Sequence, residues 1–308
     1  MKQVLISQGR AIVEETPEPV VEPGTVLVRV DHSCISAGTE MSGVKATAEP
    51  LWKRAVKDPG KVKKVLEMAV KKGLSATRDT IKGKLATGMP AGYSAAGVVI
   101  ETGEGVTAFS PGDRVACAGA QCAHHAEIIR VPENLTAPVP DDVAFTHAAT
   151  VTLGAIALQG VRRASPTMGE TFAVIGLGIL GQLTVQLLKA NGCRVAGTDL
   201  DEGRIAKALD CGMDTAVRPG EGDPVEAIAR ITGGTGADAA IITAATPSDE
   251  VVSTAFKMCR RKGRVVLVGD VGLHLNRSDI YEKELDFFIS TSYGPGRYDA
   301  NYEEKGLD

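Results

Sequence analysis

Gly176-Leu177-Gly178-Ile179-Leu180-Gly181 limits what this chain can fold into more than any other stretch. A G-x-G-x-x-G string alone matches many loops, but this one follows a strand-like run, TFAVI, and opens a segment of helical spacing from Ile179 to Ala190. In that setting Gly176 permits a tight turn, Gly178 lets the backbone approach a pyrophosphate, and Gly181 lets helix and strand pack closely. Ile179 and Leu180 begin the helix, whose free N–H groups and positive dipole end suit phosphates. CRVAGTD reads as the next strand and ends in Asp199, 23 residues after Gly176. A carboxylate there accepts from ribose hydroxyls and repels a 2′-phosphate, so the pattern predicts NAD over NADP. Arg204 lies five residues further on. An arginine near this strand end either binds a 2′-phosphate or, beside an acid, stacks on adenine.

The style around this motif is regular. From about residue 150 strands and helices alternate: a helix over Glu202 to Leu209, strands at ADAAIIT and RVVLVGD, a helix from about Glu250 to Arg261 between them, and DFFISTS as a sixth strand. Near-continuous apolar strands alternating with helices predict an α/β doubly wound parallel sheet, a Rossmann domain over residues 151–292. The 35 glycines and 4% aromatics fit tight turns around a nucleotide. At 308 residues the chain suits two domains better than one core. A formal charge of −4 argues against a general nucleic-acid binder, and no apolar run reaches the ~18 residues of a membrane span. The N-terminus carries no basic-then-apolar signal, and six scattered cysteines read as reduced thiols in a cytoplasmic protein.

Residues 1–150 differ. TVLVRVDHSC, AAGVVIETG, DRVACAG and AEIIRVP are short runs separated by turn residues, which predicts a mostly antiparallel β domain. Inside it, about 45–88 has helical spacing, and from Lys53 to Lys84 eleven Lys/Arg face three acids. This basic helical insertion is either a solvated helical face, a contact with another domain, or a surface that attracts an anionic substrate.

The segments GTE (38–40), AGYSAAGVV (91–99), GEGVTAFSPGDRVA (103–116), AEIIRVP (126–132), TLGAIAL (152–158), AVIGLGILGQL (173–183), GGTGAD (233–238) and GRVVLVG (263–269) together resemble the medium-chain dehydrogenase/reductase family. ISAGTE, LGAIALQGVRRA and the C-terminal YEKELDFFISTSYGPGRYDANYEEKGLD resemble its branch related to bacteriochlorophyllide a dehydrogenase and to two-domain oxidoreductases. The resemblance implies an N-terminal GroES-like catalytic domain (1–150) and a nucleotide domain. Residues 293–308 then begin a return to the catalytic domain that relatives continue further, so a fragment, with a fused C-terminal domain absent, is expected. It also implies a homo-oligomer paired through the edge strand.

Zinc members of this family carry metal ligands where this chain has Ala37, Tyr93 and, approximately, Thr152, and they carry a four-cysteine loop where Cys117 is followed only by AGAQC. Alanine cannot bind zinc and a neutral tyrosine or threonine is a poor ligand, so no metal is expected. Cys117, Cys122, His124 and His125 have no common ligand spacing, and as a strand pair the two histidines would face opposite ways. Without zinc, an oxyanion needs hydrogen-bond donors. Thr39 falls where relatives use a hydroxyl in proton transfer; Tyr93 falls at a vacated ligand position, as a donor or a space filler. Glu40 replaces an outer-shell acid and either orients neighbours or only packs its loop. The resemblance places Thr243, Ala244 and Ala245 near the cofactor riboses, and Val268, Gly269 and Asp270 near the nicotinamide. The expected function is zinc-independent, NAD-dependent hydride transfer between the cofactor and a small-molecule secondary alcohol or ketone, sugar-derived or anionic. The alternatives are a quinone or enoyl reductase using NADPH, and a non-catalytic dinucleotide-binding module of a larger protein.

Overall fold

The computed structural model describes residues 1–48 and 88–303. The chain divides into two compact units, Met1–Thr152 with the segment from Asn301, and Leu153–Ala300.

In the first unit, β1 (Lys2–Ser7), β2 (Arg10–Glu15) and β4 (Met89–Pro90) form one small antiparallel sheet in the order β2-β1-β4. A five-stranded antiparallel sheet runs β7-β3-β5-β6-β8, from Thr25–Ser33 (β3), Ser94–Thr102 (β5), Arg114–Ala118 (β6), Ile128–Pro132 (β7) and Thr136–Pro138 (β8). Branched side chains form its core: Val26, Val28, Val99, Val115 and Val131 are fully buried, while Arg29 between them points to solvent. Tyr302 packs against the same core, and its carbonyl accepts from Asn134 Nδ2. The first correction lies at the end of β3. The GTE stretch, where Glu40 was expected on a loop, belongs to a helix, α1 (Ala37–Ala48), so Thr39 and Glu40 sit on a helical first turn. The basic insertion reading falls mostly on residues 49–87, outside the described residues.

The second unit carries six parallel strands in the order β11-β10-β9-β12-β14-β16. These are Thr215–Val217, Arg194–Thr198, Thr171–Ile175, Ala237–Ile242, Cys259–Leu267 and Asp286–Ile289, from β11 across to β16, while β13 (Ala245–Thr246) and β15 (Asp270–Val271) form a separate parallel pair. The order is that of a dinucleotide-binding doubly wound sheet. Every residue of β9 is buried because both faces are covered: Ala173 and Ile175 join one apolar cluster, Phe172 and Val174 the other. The covering helices include α2 (Val151–Ala164), α3 (Ile179–Ala190), α4 (Glu202–Asp210), α5 (Pro224–Ile231) and α6 (Glu250–Met258). α6 is three residues shorter than its spacing predicted, because Cys259 turns extended and starts β14. Lys283 Nζ closes that helix end, donating to the carbonyls of Phe256 (3.2 Å), Lys257 (2.7 Å) and Cys259 (2.8 Å). The donor comes from 24 or more residues away, so no local pattern announces it.

Candidate active site

In the second unit the glycine loop joins β9 to α3. Gly176 has φ +92°, the left-handed region, and a Cβ there would stand 2.7 Å from the Ala244 backbone. A Cβ on Gly181 would lie 2.0 Å from the Gly176 carbonyl oxygen, so only glycine lets helix and loop approach this closely. Gly178 is different: a Cβ there would meet nothing within 4 Å. It precedes Ile179 at the start of α3, and no side chain caps that end. The open face beside uncapped N–H groups is where a pyrophosphate fits.

Asp199 follows β10 and ties the loop together. Its Oδ2 accepts from Leu177 N at 2.6 Å and its Oδ1 from Asp201 N at 2.9 Å, with the side chain 8% exposed. Arg204 Nη1 stands 3.7 Å from the same carboxylate, its own side chain 56% exposed. A carboxylate offers about four lone-pair directions, so two remain for ribose hydroxyls. Thr243 closes the other side: its N donates to the Ile175 carbonyl at 2.9 Å and its Oγ1 to that of Gly176 at 2.5 Å. Ala244 N donates to the Ile175 carbonyl at 3.1 Å, and Val268 and Gly269 both donate to that of Ile242 at 2.9 Å. The candidate cofactor residues therefore gather at the carboxyl ends of β9, β10, β12 and β14, the crevice where such sheets bind ligands.

In the first unit, the other candidates flank the paired ends of β3 and β5, where Ser33 lies opposite Ala95 and Cys34 N donates to the Ser94 carbonyl at 2.9 Å. Tyr93 is half-buried, and its carbonyl accepts from Gly119 N (3.1 Å) and from the Thr152 hydroxyl (2.9 Å). Ser94 Oγ donates to the Ala149 carbonyl at 2.6 Å and accepts from Thr152 N at 3.1 Å. Thr39 is exposed on α1, with Ser36 Oγ 3.4 Å from its hydroxyl. Glu40 Oε1 accepts from Ser36 N at 2.9 Å, closing the helix start in the manner of a capping box, and from His125 Nε2 at 3.1 Å. The carboxylate is thus engaged with the protein at both contacts.

His125 was missed as a site residue. The expected histidine strand pair is a sequence of tight turns instead, with Ala123 N donating to Gly119 O (2.9 Å) and His124 N to Cys122 O (3.0 Å). This leaves His125 buried between Glu40 and Ser33 Oγ, which lies 2.8 Å from its Nδ1. No local signal apart from the histidine pair itself marks it, since its partners are 85 and 92 residues away.

The donor set does not fit zinc. Ala37 offers a methyl group, and the Thr152 hydroxyl is fully buried and committed to the Tyr93 carbonyl. Burial pushes the Cys117 thiol up and the His124 imidazole down; all six cysteines are free thiols. Burial and then the Glu40 carboxylate push the Cys34 thiol up, so it is no ready thiolate. Among the described residues no group of three His, Cys, Asp or Glu side chains is placed to hold a metal, and no helix is long and apolar enough to cross a membrane.

Comparison with known proteins agrees with this architecture. Residues 69–141 match the family model of the alcohol dehydrogenase GroES-like domain, and residues 180–304 that of the zinc-binding dehydrogenases. An alcohol dehydrogenase of Geobacillus stearothermophilus is 29% identical over 206 residues, 58% of this chain and 60% of that enzyme's length. The (R,R)-butanediol dehydrogenase of Bacillus subtilis (strain 168) is 28% identical over 299 residues, 88% of this chain and 78% of that enzyme. Among solved structures, a quinone oxidoreductase of Pseudomonas syringae pv. Tomato DC3000 shares the fold, with a TM-score of 0.71 and 20% identity over 99% of this chain and 85% of that one. With both family segments present in chain order, and a GroES-like β unit and a Rossmann unit beneath them, the chain belongs to the medium-chain dehydrogenase/reductase family, of the alcohol dehydrogenase type.

Proposed function

We propose that this protein is an NAD(H)-dependent oxidoreductase acting on a small secondary alcohol or its ketone, with no catalytic zinc. The observation that carries this reading is the glycine loop bonded to Asp199: Leu177 N on the carboxylate at 2.6 Å, beside the open face of Gly178. When bound, NAD(H) accepts or supplies a hydride. Gly176, Gly178, Ile179, Leu180, Gly181 and Asp199 would hold its pyrophosphate and adenosine ribose, with Thr243, Ala244, Val268 and Gly269 at the adjoining strand ends. In the other unit Thr39 gives or takes the proton at the substrate oxygen through its exposed hydroxyl, and the Tyr93 phenol is a second donor. Glu40 does not exchange that proton; it holds the turn that carries Thr39. The preference for an anionic or sugar-derived substrate rests on the lysines of residues 53–84.

A quinone or enoyl reductase using NADPH is the second reading. It is favoured by Arg204, whose guanidinium stands 3.7 Å from Asp199 and partly offsets the repulsion of a 2′-phosphate. Fluorescence titration with NADH and with NADPH decides between them. Saturable micromolar NADH binding with much weaker NADPH binding supports the first reading; tighter NADPH binding selects the second; binding of neither refutes both. Asp199→Ser should weaken NADH by about tenfold, the equivalent of ~1.4 kcal/mol, and tighten NADPH as Arg204 loses its partner. Unchanged relative affinities would remove Asp199 from cofactor choice.

A further inference from the structure

We infer that His125 is a positioning residue for this reaction: its ring holds Glu40, and through Glu40 the first turn of α1 that presents Thr39. The inference rests on the hydride-transfer reading above.

The bonding fixes the chemistry of the ring. Glu40 Oε1 accepts from Ser36 N at 2.9 Å and stands 3.1 Å from His125 Nε2. A carboxylate only accepts, so Nε2 carries the ring proton. In the neutral ring Nδ1 then offers a lone pair, and the Ser33 hydroxyl, 2.8 Å away, donates to it. Both nitrogens are engaged, in one tautomer. The two side chains are 8% (His125) and 16% (Glu40) exposed, so water competes little for these bonds.

The main chain around the ring is fixed as firmly. His125 N donates to the Ala91 carbonyl and Val4 N donates to that of His125, both at 2.8 Å. Gly92 has φ +93°, and a Cβ there would stand 2.9 Å from Cγ and Nδ1 of the ring. A packing residue does not need this. The Ser36 bond is local to the start of α1, and the His125 bond adds a strut from that turn to a separate loop. Thr39 is the residue before Glu40 and lies 3.4 Å from Ser36 at the hydroxyls, so its reach follows the turn. Misplacing a reacting group by about 1 Å costs about 100-fold in rate.

The test compares variants of the full chain. His125→Gln keeps a donor near the Nε2 position, toward Glu40. His125→Asn keeps only a group near Nδ1, toward Ser33. We expect kcat for alcohol oxidation to fall about 10- to 100-fold in His125→Ala and in His125→Asn, with substrate KM within about twofold, and His125→Gln to recover most of the loss. NADH affinity should be unchanged in all three. Equal rates for the Asn and Gln variants, or full activity in His125→Ala, would overturn the inference. Nitrogen-15 NMR of the imidazole reads the same strut without turnover: the Nε2–H tautomer, perturbed in Glu40→Ala, supports it, and the Nδ1–H tautomer refutes it. A wild-type chain that binds NADH yet oxidises no alcohol would sink the hydride reading, and the tautomer alone would then decide the link between His125 and Glu40.

Discussion

Gly178 and Gly181 share one motif, yet the space around them assigns them different work. A methyl group on Gly181 would lie 2.0 Å from a backbone oxygen, whereas one on Gly178 would meet nothing. Gly181→Ala should therefore lower stability by about 1–3 kcal/mol, read as a drop in the urea midpoint. Gly178→Ala should leave that midpoint alone and weaken NADH about tenfold, because its methyl intrudes where the pyrophosphate comes close. A loss of stability in Gly178→Ala would contradict the open face. The placement of these glycines, Asp199 and the strand-end residues was legible in the sequence because it depends on backbone geometry at fixed spacing. His125 was not, since its identity as a site residue comes from Ser33 and Glu40, brought to it by the β3–β5 register and the turn at Gly119.

Periodicity located most strands of the two larger sheets, though not Thr215–Val217 or Thr136–Pro138, and placed α3 from Ile179 to Ala190, but it misjudged the ends of other elements. α1 starts where Glu40 folds back on Ser36 N, and α6 stops where Lys283 reaches its last carbonyls. Lys283→Met keeps the apolar stem and removes the ammonium shared by three carbonyls, of which that of Phe256 keeps the Cys259 N–H. A loss of about 1–3 kcal/mol is expected in equilibrium unfolding. Lys283→Arg should recover part of it, and an unchanged midpoint for Lys283→Met would mean water serves that helix end equally well.

At the scale of the whole molecule, acid weakens the nucleotide-binding unit through two carboxylates. Burial by itself would raise Asp238, but the Thr171 N–H at 2.8 Å and Arg260 at 2.7 Å hold it below the ordinary 3.8. Asp214 is held down in the same way against its burial, by Lys189 and the Val195 N–H. A carboxylate with a depressed folded value adds stability that is complete above 3.8 and is lost as pH falls through the lower value. The urea midpoint should stay level near neutrality and fall below about pH 4, and Asp238→Asn should flatten that fall. NADH at 100 times its dissociation constant should add about 2.7 kcal/mol, visible as a raised melting temperature. The family and both folds were legible at this scale, because motif order along a chain survives without any knowledge of contacts. The segment from Asn301 carries a consequence for biosynthesis. The first unit receives Tyr302 against its core only after Leu153–Ala300 has left the ribosome. At ~10 residues per second, that is about 15 s during which a β core already translated lacks one of its walls. The nucleotide-binding unit is contiguous in sequence and has no such wait, so a chain ended at residue 300 and released from the ribosome should still bind NADH.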